Sequence, residues 1–313
     1  MSILVISFNT RVETLACLAS VREHVDAEAV GGYEVLVVDN ASSDGSADAI
    51  AEAYPDVRLI RSETNLGFAA ANNLAAEDAC GDMLLLLNSD TELLGDAVTQ
   101  AVRYHDTTDG VGIVGGRTFF ADGRLNPNSC HGRPTPWSML CMAAGFSVLA
   151  RRRAAALIAG ALHPEGLGAW QRDTAREVDA ITGCFLLMAR DLWNELGGFD
   201  KRFFMYGEDT DLCLRAKQLG ARSAVCPDAR LIHHGGRSDR VRADKMIKLF
   251  RAKHQLARRH WGKLTQPLAP LALNGWAFSR YAAHRTLAAV RPNSRASADQ
   301  WREVWRRRRE YAV

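Results

Sequence analysis

Short apolar runs alternate with helical patterns through the first 120 residues of the chain. The apolar runs, rich in β-forming residues, predict strands over 3–8, 33–38, 57–60, 83–87 and 112–119. The helical patterns between them cover 11–24, 46–54, 67–79 and 95–105. The fourth run, Met83–Leu87, is apolar at every position, so we expect it to be buried on both faces. This rhythm with short connections predicts an α/β fold, a parallel sheet covered by helices.

The pattern is less regular beyond residue 120. It is weak over 121–175, and it then predicts a strand over 178–189, helices over 191–196 and 208–219, and a short strand over 223–226. From 243 to 261 the chain is helical and basic, and 265–313 predicts one or two further helices. We therefore expect an α/β domain over 1–240, with halves at about 1–120 and 121–240, and a basic helical C-terminal extension over 241–313.

Charge is distributed unevenly along the chain. Residues 240–313 contain 18 Lys/Arg and 4 Asp/Glu, a balance of +14, and because the net charge of the whole chain is +3, residues 1–239 carry −11. Acidic clefts commonly hold divalent metals, and basic tails commonly meet anionic surfaces such as phospholipid headgroups or nucleic acid.

The cysteines argue against a disulfide scaffold or a zinc ribbon. There are seven, an odd number, and no two are spaced as CxxC, which is typical of reduced thiols in a cytosolic protein. No apolar stretch approaches the roughly 20 residues needed to span a bilayer. The longest, Met139–Ala150, predicts a buried or interfacial helix.

Polar residues follow the predicted strands, where ligands of such sheets bind. The residues at these positions are Asn9, Asp39, Ser62 and Asn88–Asp90. The first strand lacks the GxGxxG turn of dinucleotide folds, and the chain has no GxxxxGK[ST] phosphate loop, so a nucleotide would have to be held by side chains. Asp39 is either part of a polar turn that caps the next helix or an acceptor for a base or ribose. Asn65–Asn73 is either a capped, small-residue packing helix or a helix N-terminus that meets an anion or sugar.

Three further clusters could carry chemistry. Asp90 follows the buried apolar strand, where a carboxylate suits a divalent cation that bridges phosphates, or is an ordinary turn residue. The acids Glu208, Asp209 and Asp211 open a helix, either because the helix dipole favours them or because one is a general base. His233 and His234 are adjacent and are followed by two glycines. They are either ordinary core or surface residues, or they contact a metal or a diphosphate.

The order of these motifs resembles glycosyltransferase family 2, and most of all its bacterial rhamnosyltransferase-like branch. The motifs are DNASSDGS, NLGFAAANN, LLLLNSD, GGFD-x2-FFMYGEDTDLCLR and HHGGRS, and the likeness covers about residues 3–260. It implies a GT-A fold with a Rossmann-like, mostly parallel central sheet flanked by helices. It also implies a nucleotide-diphosphate sugar donor, Mg²⁺ or Mn²⁺, and inversion at the anomeric carbon.

The resemblance also implies roles for individual residues. Asp90 matches the retained metal ligand of the family's DxD motif, which reads Asn88-Ser89-Asp90 here, so the donor diphosphate must supply more of the metal's coordination. His233 matches a histidine that completes the metal shell, with His234 as the alternate. Asp209 matches the catalytic base, and Glu208 would help to position the acceptor. The residues implied near the nucleotide sugar are Ser7, Asn9 and Asp39 at the base and ribose, Asn65, Gly67 and Asn73 near the nucleotide and its phosphates, and Asn88 and Ser89.

The expected function is therefore transfer of one sugar, best rhamnose from dTDP-rhamnose, to a hydroxyl of a glycan, lipid-linked or small-molecule acceptor in cell wall or polysaccharide biosynthesis. The processive motif QxxRW is absent, which favours a single transfer per encounter. A nucleotide-sugar nucleotidyltransferase is an alternative, but Asn9-Thr10-Arg11 is not the basic, Gly-rich loop it would need. A non-catalytic nucleotide-sugar-binding protein is the other, and the presence of both Asp90 and Asp209 argues against it.

The basic C-terminal extension has several interpretations. It is a helical face that packs on the core, or it docks to the inner leaflet of the cytoplasmic membrane in an otherwise cytoplasmic protein. A homodimer contact is also open, and no nucleic acid is expected as a partner. The aromatic residues that suggest an interface, interleaved with arginines, are Trp276, Phe278, Tyr281, Trp301 and Trp305.

Overall fold

The structure is a computed structural model that describes residues 1–146, 161, 164–235, 242–291 and 294–312. The chain divides into two compact units. The first unit comprises Met1–His131, Gln171–Phe204 and Glu208–Ser238. The second comprises Gly132–Trp170, Met205–Gly207 and Asp239–Val313.

The first unit is built on a nine-stranded sheet with strand order β3-β2-β1-β4-β10-β6-β11-β5, in which β8 also pairs with β11, and a two-stranded sheet of β7 and β9. The strands are β1 Ser2–Ser7, β2 Glu34–Asp39, β3 Arg58–Arg61, β4 Met83–Asn88, β5 Thr91–Leu94, β6 Val111–Phe119, β7 Cys130–His131, β8 Arg176–Val178, β9 Ala180–Ile181, β10 Phe185–Ala189 and β11 Arg222–His233.

Ten α-helices lie in the described part of the chain. They are α1 Arg11–His24, α2 Ser46–Ala53, α3 Gly67–Glu77, α4 Ala97–Thr107, α5 Pro136–Ala144, α6 Arg190–Leu196, α7 Glu208–Gln218, α8 Arg242–His260, α9 Leu268–Leu287 and α10 Ser294–Arg306. The second unit contains α5, α8, α9 and α10. Among the residues described, no helix combines the length and apolarity that crossing a bilayer requires.

The predicted parallel α/β core is confirmed. Strands β3, β2, β1 and β4 pair in parallel, and their ends lie within one residue of the predicted ends. Leu84–Leu87 of β4 are buried, as expected for a strand covered on both faces. The apolar side chains of α1 and α4 pack with those of the strands in one continuous core.

The rest of the sheet differs from the sequence-based expectation because strand direction is not encoded in an apolar run. The strand predicted over 178–189 is divided into β8, β9 and β10, and β10 runs antiparallel between β4 and β6. The short strand predicted over 223–226 extends as β11 to His233, with a register shift between Cys226 and Arg230. Pro227 lies in this interval and has no amide hydrogen for the ladder, so the strand bulges there and then resumes. The edge strand β5 was not predicted.

The second unit has its own aromatic core around Phe250 of α8. The rings of Trp276 and Tyr311 lie 4.9 and 5.1 Å from that of Phe250, and Trp301 is also buried there. The expectation that the aromatic residues of the extension face an interface is therefore wrong for Trp301. The predicted helix over 139–150 coincides with α5 as far as Ala144, and residues 147–150 lie outside the described residues.

Gly67 opens α3 in a backbone conformation that only glycine adopts readily. Its φ is 79°, and a Cβ atom built there would overlap the carbonyl oxygen of Phe204. The same carbonyl accepts a hydrogen bond from the amide of Phe68 at 2.8 Å, so the two segments cannot separate without breaking this contact. Glycine at 67 is therefore required for the close approach of α3 to the chain at 204.

We predict that Gly67→Ala lowers the free energy of unfolding by about 3 kcal/mol, since it combines left-handed backbone strain with a backbone clash. Gly95→Ala is the matched control, because Gly95 has φ 59° and nothing within 4 Å of its Cβ position. The control should lose only about 1 kcal/mol. Denaturant unfolding of both variants measures the difference, and equal losses would contradict the proposed clash.

Candidate active site

The carboxyl ends of β1, β2 and β4 meet at one edge of the sheet. In the parallel register, Ser7 of β1 is paired with Asp39 of β2, and Ile6 is paired with Asn88 of β4. The polar residues that the sequence places after these strands therefore lie along the same edge, as expected for a ligand site in an open α/β sheet.

Asn9 and Asp39 organise the loop that follows β2. Asn9 has φ 53°, its side-chain oxygen accepts a hydrogen bond from the amide of Ser43 at 2.8 Å, and its own amide donates to the hydroxyl of Ser42 at 3.0 Å. One oxygen of Asp39 accepts the amide of Ser42 at 3.0 Å. The other, Oδ1, is buried with no hydrogen-bond partner among the described residues. An acceptor left in this state is costly, so Asp39 Oδ1 is available to an N–H or O–H of a ligand.

Asn65 and Gly67 form the entry to α3. The side-chain oxygen of Asn65 accepts the amide of Gly67 at 2.9 Å and the side-chain amide of Asn40 at 3.1 Å. Asn73 lies on the same helix, but its side chain donates to the carbonyl of Phe199 at 2.8 Å and accepts the amide of Phe199 at 2.9 Å. The side chain of Asn73 therefore binds the backbone of Phe199, whereas the side chain of Asn65 is hydrogen-bonded to Asn40, the residue that follows β2.

A chain of buried hydroxyls lies beneath this edge. The hydroxyls of Ser7 and Thr14 are 3.1 Å apart, those of Thr14 and Thr10 are 3.1 Å apart, and those of Thr10 and Ser89 are 3.1 Å apart. Ser7 is fully buried and its hydroxyl faces Thr14. The chain ties the end of β1 and the start of α1 to the residue before Asp90, which gives that carboxylate a rigid base.

Asp90 and His233 form a charged pair where β5 meets the end of β11. Nε2 of His233 lies 3.2 Å from Oδ1 of Asp90, and the backbone carbonyl of Asp90 accepts the amide of His234 at 3.0 Å. Burial opposes ionisation of Asp90, but the hydrogen bond and charge of His233 outweigh it and hold the pKa of Asp90 below its usual value. Burial likewise opposes protonation of His233, but Cys184 and Asp90 raise its pKa to about 10.

The pair has the chemistry of a partial site for a hard divalent cation. Its donors are the Asp90 carboxylate, the side-chain oxygen of Asn88, which is buried without a hydrogen-bond partner among the described residues, and the His233 imidazole, which must release its proton before it can coordinate a cation. Within the same described residues, no group of three or more His, Cys, Asp or Glu is arranged to hold a metal. These residues therefore fit a cation such as Mg²⁺ or Mn²⁺ only if a ligand's phosphates complete the coordination, which is common for Mg²⁺. His234 instead places Nε2 2.6 Å from Glu92.

Asp209 reaches the same edge from the start of α7. Its Oδ2 accepts the amide of Gly183 at 3.2 Å, and its Oδ1 accepts the amide of Thr210 at 2.6 Å. Cys184 follows Gly183, and its backbone carbonyl accepts a hydrogen bond from the amide of Asn88 at 3.1 Å. Asp209 is therefore bound to Gly183, and the residue after Gly183 is bound to Asn88, the first residue of the Asn88–Asp90 segment.

Glu208 is buried next to Asp209. Burial raises the pKa of Glu208 well above its usual value, and the neighbouring negative charge of Asp209 raises it further. Its Oε2 has no hydrogen-bond partner in the described part of the chain. A carboxyl group kept neutral can donate a hydrogen bond, so the two adjacent acids have different chemical capacities.

Five residues at this edge were not singled out from the sequence. Glu92, Gly183 and Cys184 contact predicted residues directly, and the hydroxyl of Thr210 lies 3.2 Å from Asp209 and 3.3 Å from Nε2 of His131. The glycine at 183, between two apolar strand segments, was the one available signal, because a glycine inside a strand pattern often marks a close backbone approach. The others lie in β5, β7 and α7 and just before β10, and the sequence does not reveal how these segments come together.

The chain is similar to known glycosyltransferases in sequence and in fold. The family model described as glycosyl transferase family 2 matches residues 2–152. The O-antigen biosynthesis protein RfbC of Myxococcus xanthus is 31% identical over 219 residues, which cover 67% of this chain and 16% of that much longer protein. The N-acetylglucosaminyl-diphospho-decaprenol L-rhamnosyltransferase of Mycobacterium tuberculosis is 27% identical over 228 residues, which cover 65% of this chain and 67% of that protein.

The fold has solved counterparts as well. The mannosyltransferase PcManGT from Pyrobaculum calidifontis, solved in complex with GDP-Man and Mn²⁺, superposes with a TM-score of 0.57 at 20% identity, over 97% of this chain and 84% of that one. The mixed sheet flanked by helices is the GT-A fold of glycosyltransferases. Over residues 2–152 the chain belongs to glycosyltransferase family 2.

We predict that Glu208→Gln stabilises the protein more at pH 8 than at pH 4. In the folded chain Glu208 stays protonated above the pH, about 4.3, at which the unfolded chain releases the proton, so the stability of the native protein falls as pH rises above that value. The glutamine variant has no such loss. Melting temperatures measured from pH 4 to pH 8 in EDTA would show the difference between variant and parent growing with pH.

The matched control is Glu77→Gln, which removes an exposed carboxyl group at the end of α3. Its difference from the parent should stay nearly constant across the same pH range. A pH-independent effect of Glu208→Gln would contradict a buried, neutral Glu208.

Proposed function

We propose that the protein transfers a sugar, with inversion at the anomeric carbon, from a nucleotide-diphosphate donor to a hydroxyl group of a glycan or lipid-linked acceptor. The preferred donor is dTDP-rhamnose. The support for rhamnose is that a relative covered over two thirds of its length is named an L-rhamnosyltransferase, and the name of that relative also specifies a diphospho-decaprenol-linked acceptor.

The main support for the proposal is that backbone hydrogen bonds link Asp209 of α7 to the segment that contains Asp90. Asp209 is hydrogen-bonded to the amide of Gly183, and the adjacent Cys184 is paired with Asn88, which precedes Asp90 by two residues. A carboxylate suited to proton abstraction and a carboxylate suited to a cation therefore share one strand edge. Sugar transfer needs both groups, because the acceptor loses a proton while negative charge grows on the leaving diphosphate.

On the donor side, Asp39 Oδ1 is the acceptor for an N–H of the base or a hydroxyl of the ribose. Asn88, Asp90 and His233 would hold Mg²⁺ or Mn²⁺, with the donor diphosphate as the remaining ligand. A cation bound there would neutralise charge on the departing nucleotide diphosphate.

On the acceptor side, Asp209 takes the proton of the acceptor hydroxyl. The hydroxyl oxygen then attacks the anomeric carbon on the face opposite the diphosphate, through an oxocarbenium-like transition state. The amides of Gly183 and Thr210 hold the Asp209 carboxylate in place for this step. The neutral carboxyl group of Glu208 donates a hydrogen bond that orients the acceptor.

We predict that Asp209→Asn lowers turnover by about 10²-fold or more and leaves donor affinity nearly unchanged, since the amide cannot accept the proton. Steady-state turnover and calorimetric donor titration measure the two effects. Asp191→Asn is the control, because Asp191 is an exposed acid in the first turn of another helix, α6, and its substitution should leave both quantities unchanged. Normal turnover of Asp209→Asn would exclude it as the base.

We predict that dTDP-rhamnose with Mn²⁺ stabilises the protein more than other nucleotide sugars do, and that EDTA or Asp90→Asn removes most of this effect. A ligand at 100 times its Kd adds about 2.7 kcal/mol, which a thermal-shift panel of nucleotide sugars resolves. Asp82→Asn, at a fully exposed carboxylate, should leave the stabilisation intact. Stabilisation by a nucleoside triphosphate and a sugar phosphate instead would indicate a nucleotidyltransferase.

A further inference from the structure

Two helices of the second unit carry apolar side chains on their exposed sides. In α5, Trp137 and Leu140 are about half exposed and are three residues apart, so they share one side of the helix. In α9, Leu268, Leu271 and Phe278 follow the same helical spacing, and Leu271 is 67% exposed. Large apolar side chains are seldom exposed to water in contiguous sets. These two rows of exposed residues, which we call the stripes of α5 and α9, therefore indicate a binding surface.

The two stripes border one another. The hydroxyl of Ser279 in α9 donates to the carbonyl of Ala143 in α5 at 2.7 Å, and a Cβ built on Gly275 would lie 3.7 Å from the Cβ of Ala143. Gly275 belongs to the exposed stripe of α9, between Leu271 and Phe278, so the stripes meet along this helix contact. The chain just before α9 adds Leu264, which is 96% exposed. We call the resulting surface the apolar face; it consists of Trp137, Leu140, Leu264, Leu268, Leu271 and Phe278.

The segment that carries α9 is strongly basic. The sequence from 245 to 298 contains 11 Lys/Arg and no Asp/Glu. Two of the exposed cations are next to exposed apolar residues: Lys263 precedes Leu264, and Arg291 follows Val290. Exposed apolar side chains on a basic segment complement a surface whose outer layer is anionic and whose interior is apolar, which describes an anionic phospholipid leaflet. A second copy of the chain would oppose one +14 extension to another and is disfavoured by repulsion.

We propose that the apolar face docks the protein onto an anionic phospholipid surface, with α5 and α9 lying in the plane of the interface. The leucines and aromatic rings enter the boundary between headgroups and acyl chains, while Lys263 and Arg291 meet lipid phosphates. Docking itself is independent of sugar transfer; it rests on the proposed function only for its consequence, that the acceptor is carried on a lipid.

The test is co-sedimentation of the full chain with vesicles of phosphatidylcholine alone and with vesicles containing phosphatidylglycerol. The native chain should bind the anionic vesicles and should bind the neutral ones at least tenfold more weakly. Leu268→Ser combined with Leu271→Ser should weaken binding to anionic vesicles about tenfold or more, because both side chains are expected to leave water. Val12→Ser is the matched control: Val12 is 74% exposed, lies on α1 of the first unit, and its substitution should leave binding unchanged.

A charge variant separates the two parts of the surface. Lys263→Gln combined with Arg291→Gln should weaken binding to anionic vesicles about tenfold or more, since each cation near such a surface contributes about 1 kcal/mol, and added salt should weaken binding of the native chain. Failure of the native chain to bind anionic vesicles would overturn the proposal. Equal binding by the double-leucine variant and the parent would overturn the assignment of the apolar face.

Light scattering of the same variants tests the competing occupant. A native dimer that the double-leucine substitution converts to monomer would show that a second copy covers the face and would overturn lipid docking. Donor-dependent thermal stabilisation of the double-leucine variant should equal that of the parent. Vesicle binding is measured without donor. If the nucleotide-sugar donor fails to stabilise the native chain, the proposed function is refuted, but the result of the vesicle experiment still holds.

Discussion

The backbone pair between Asn88 and Cys184 is the contact on which the candidate site depends. It continues the antiparallel ladder between β4 and β10, and it brings two segments nearly 100 residues apart in sequence into register. On one side of this pair the chain continues to Asp90, and on the other Gly183 presents its amide to Asp209. If β10 shifted by one residue along β4, its alternate side chains would exchange the two buried faces of the sheet, so the packing on both faces holds the register and with it the position of Gly183 beside Asp209.

The electrostatics of the site follow from burial at a strand edge. Asp90 stays ionised because His233 lies 3.2 Å away, whereas Glu208, buried beside Asp209, has a raised pKa. Several buried polar atoms have no partner among the described residues, and three of them, on Asp39, Asn88 and Glu208, are oxygens at this edge. Buried acceptors are nearly always satisfied in folded proteins, so their concentration here indicates places where a donor, a cation or an acceptor substrate supplies the missing contacts. The chain tolerates this loss of stability because the hydroxyl chain below Ser89 and the packed strands keep the edge rigid.

Each of the two units has its own apolar core, but the two cores are built from different side chains. In the first, apolar strands and helices form one core under a polar edge. In the second, aromatic rings around Phe250 form the core, and the sides of α5 and α9 that do not face it remain apolar. The basic C-terminal extension therefore carries exposed apolar side chains, and of the aromatic residues that suggested an interface, Phe278 is exposed whereas Trp301 is buried.

Local sequence determined the parallel half of the sheet, because strands β1 to β4 and the helices between them each satisfy a simple periodicity with short connections. It also indicated Asp39, Asp90 and Asp209 as strand-end or helix-start acids, since chain order alone places such residues beside a parallel sheet. Only the tertiary structure decided the antiparallel insertion of β10, the bulge of β11 and the partners His131, Gly183, Cys184 and Thr210. These depend on hydrogen bonds between segments far apart in the chain, and a single strand's side-chain pattern is the same whichever neighbour it pairs with and in whichever direction it runs.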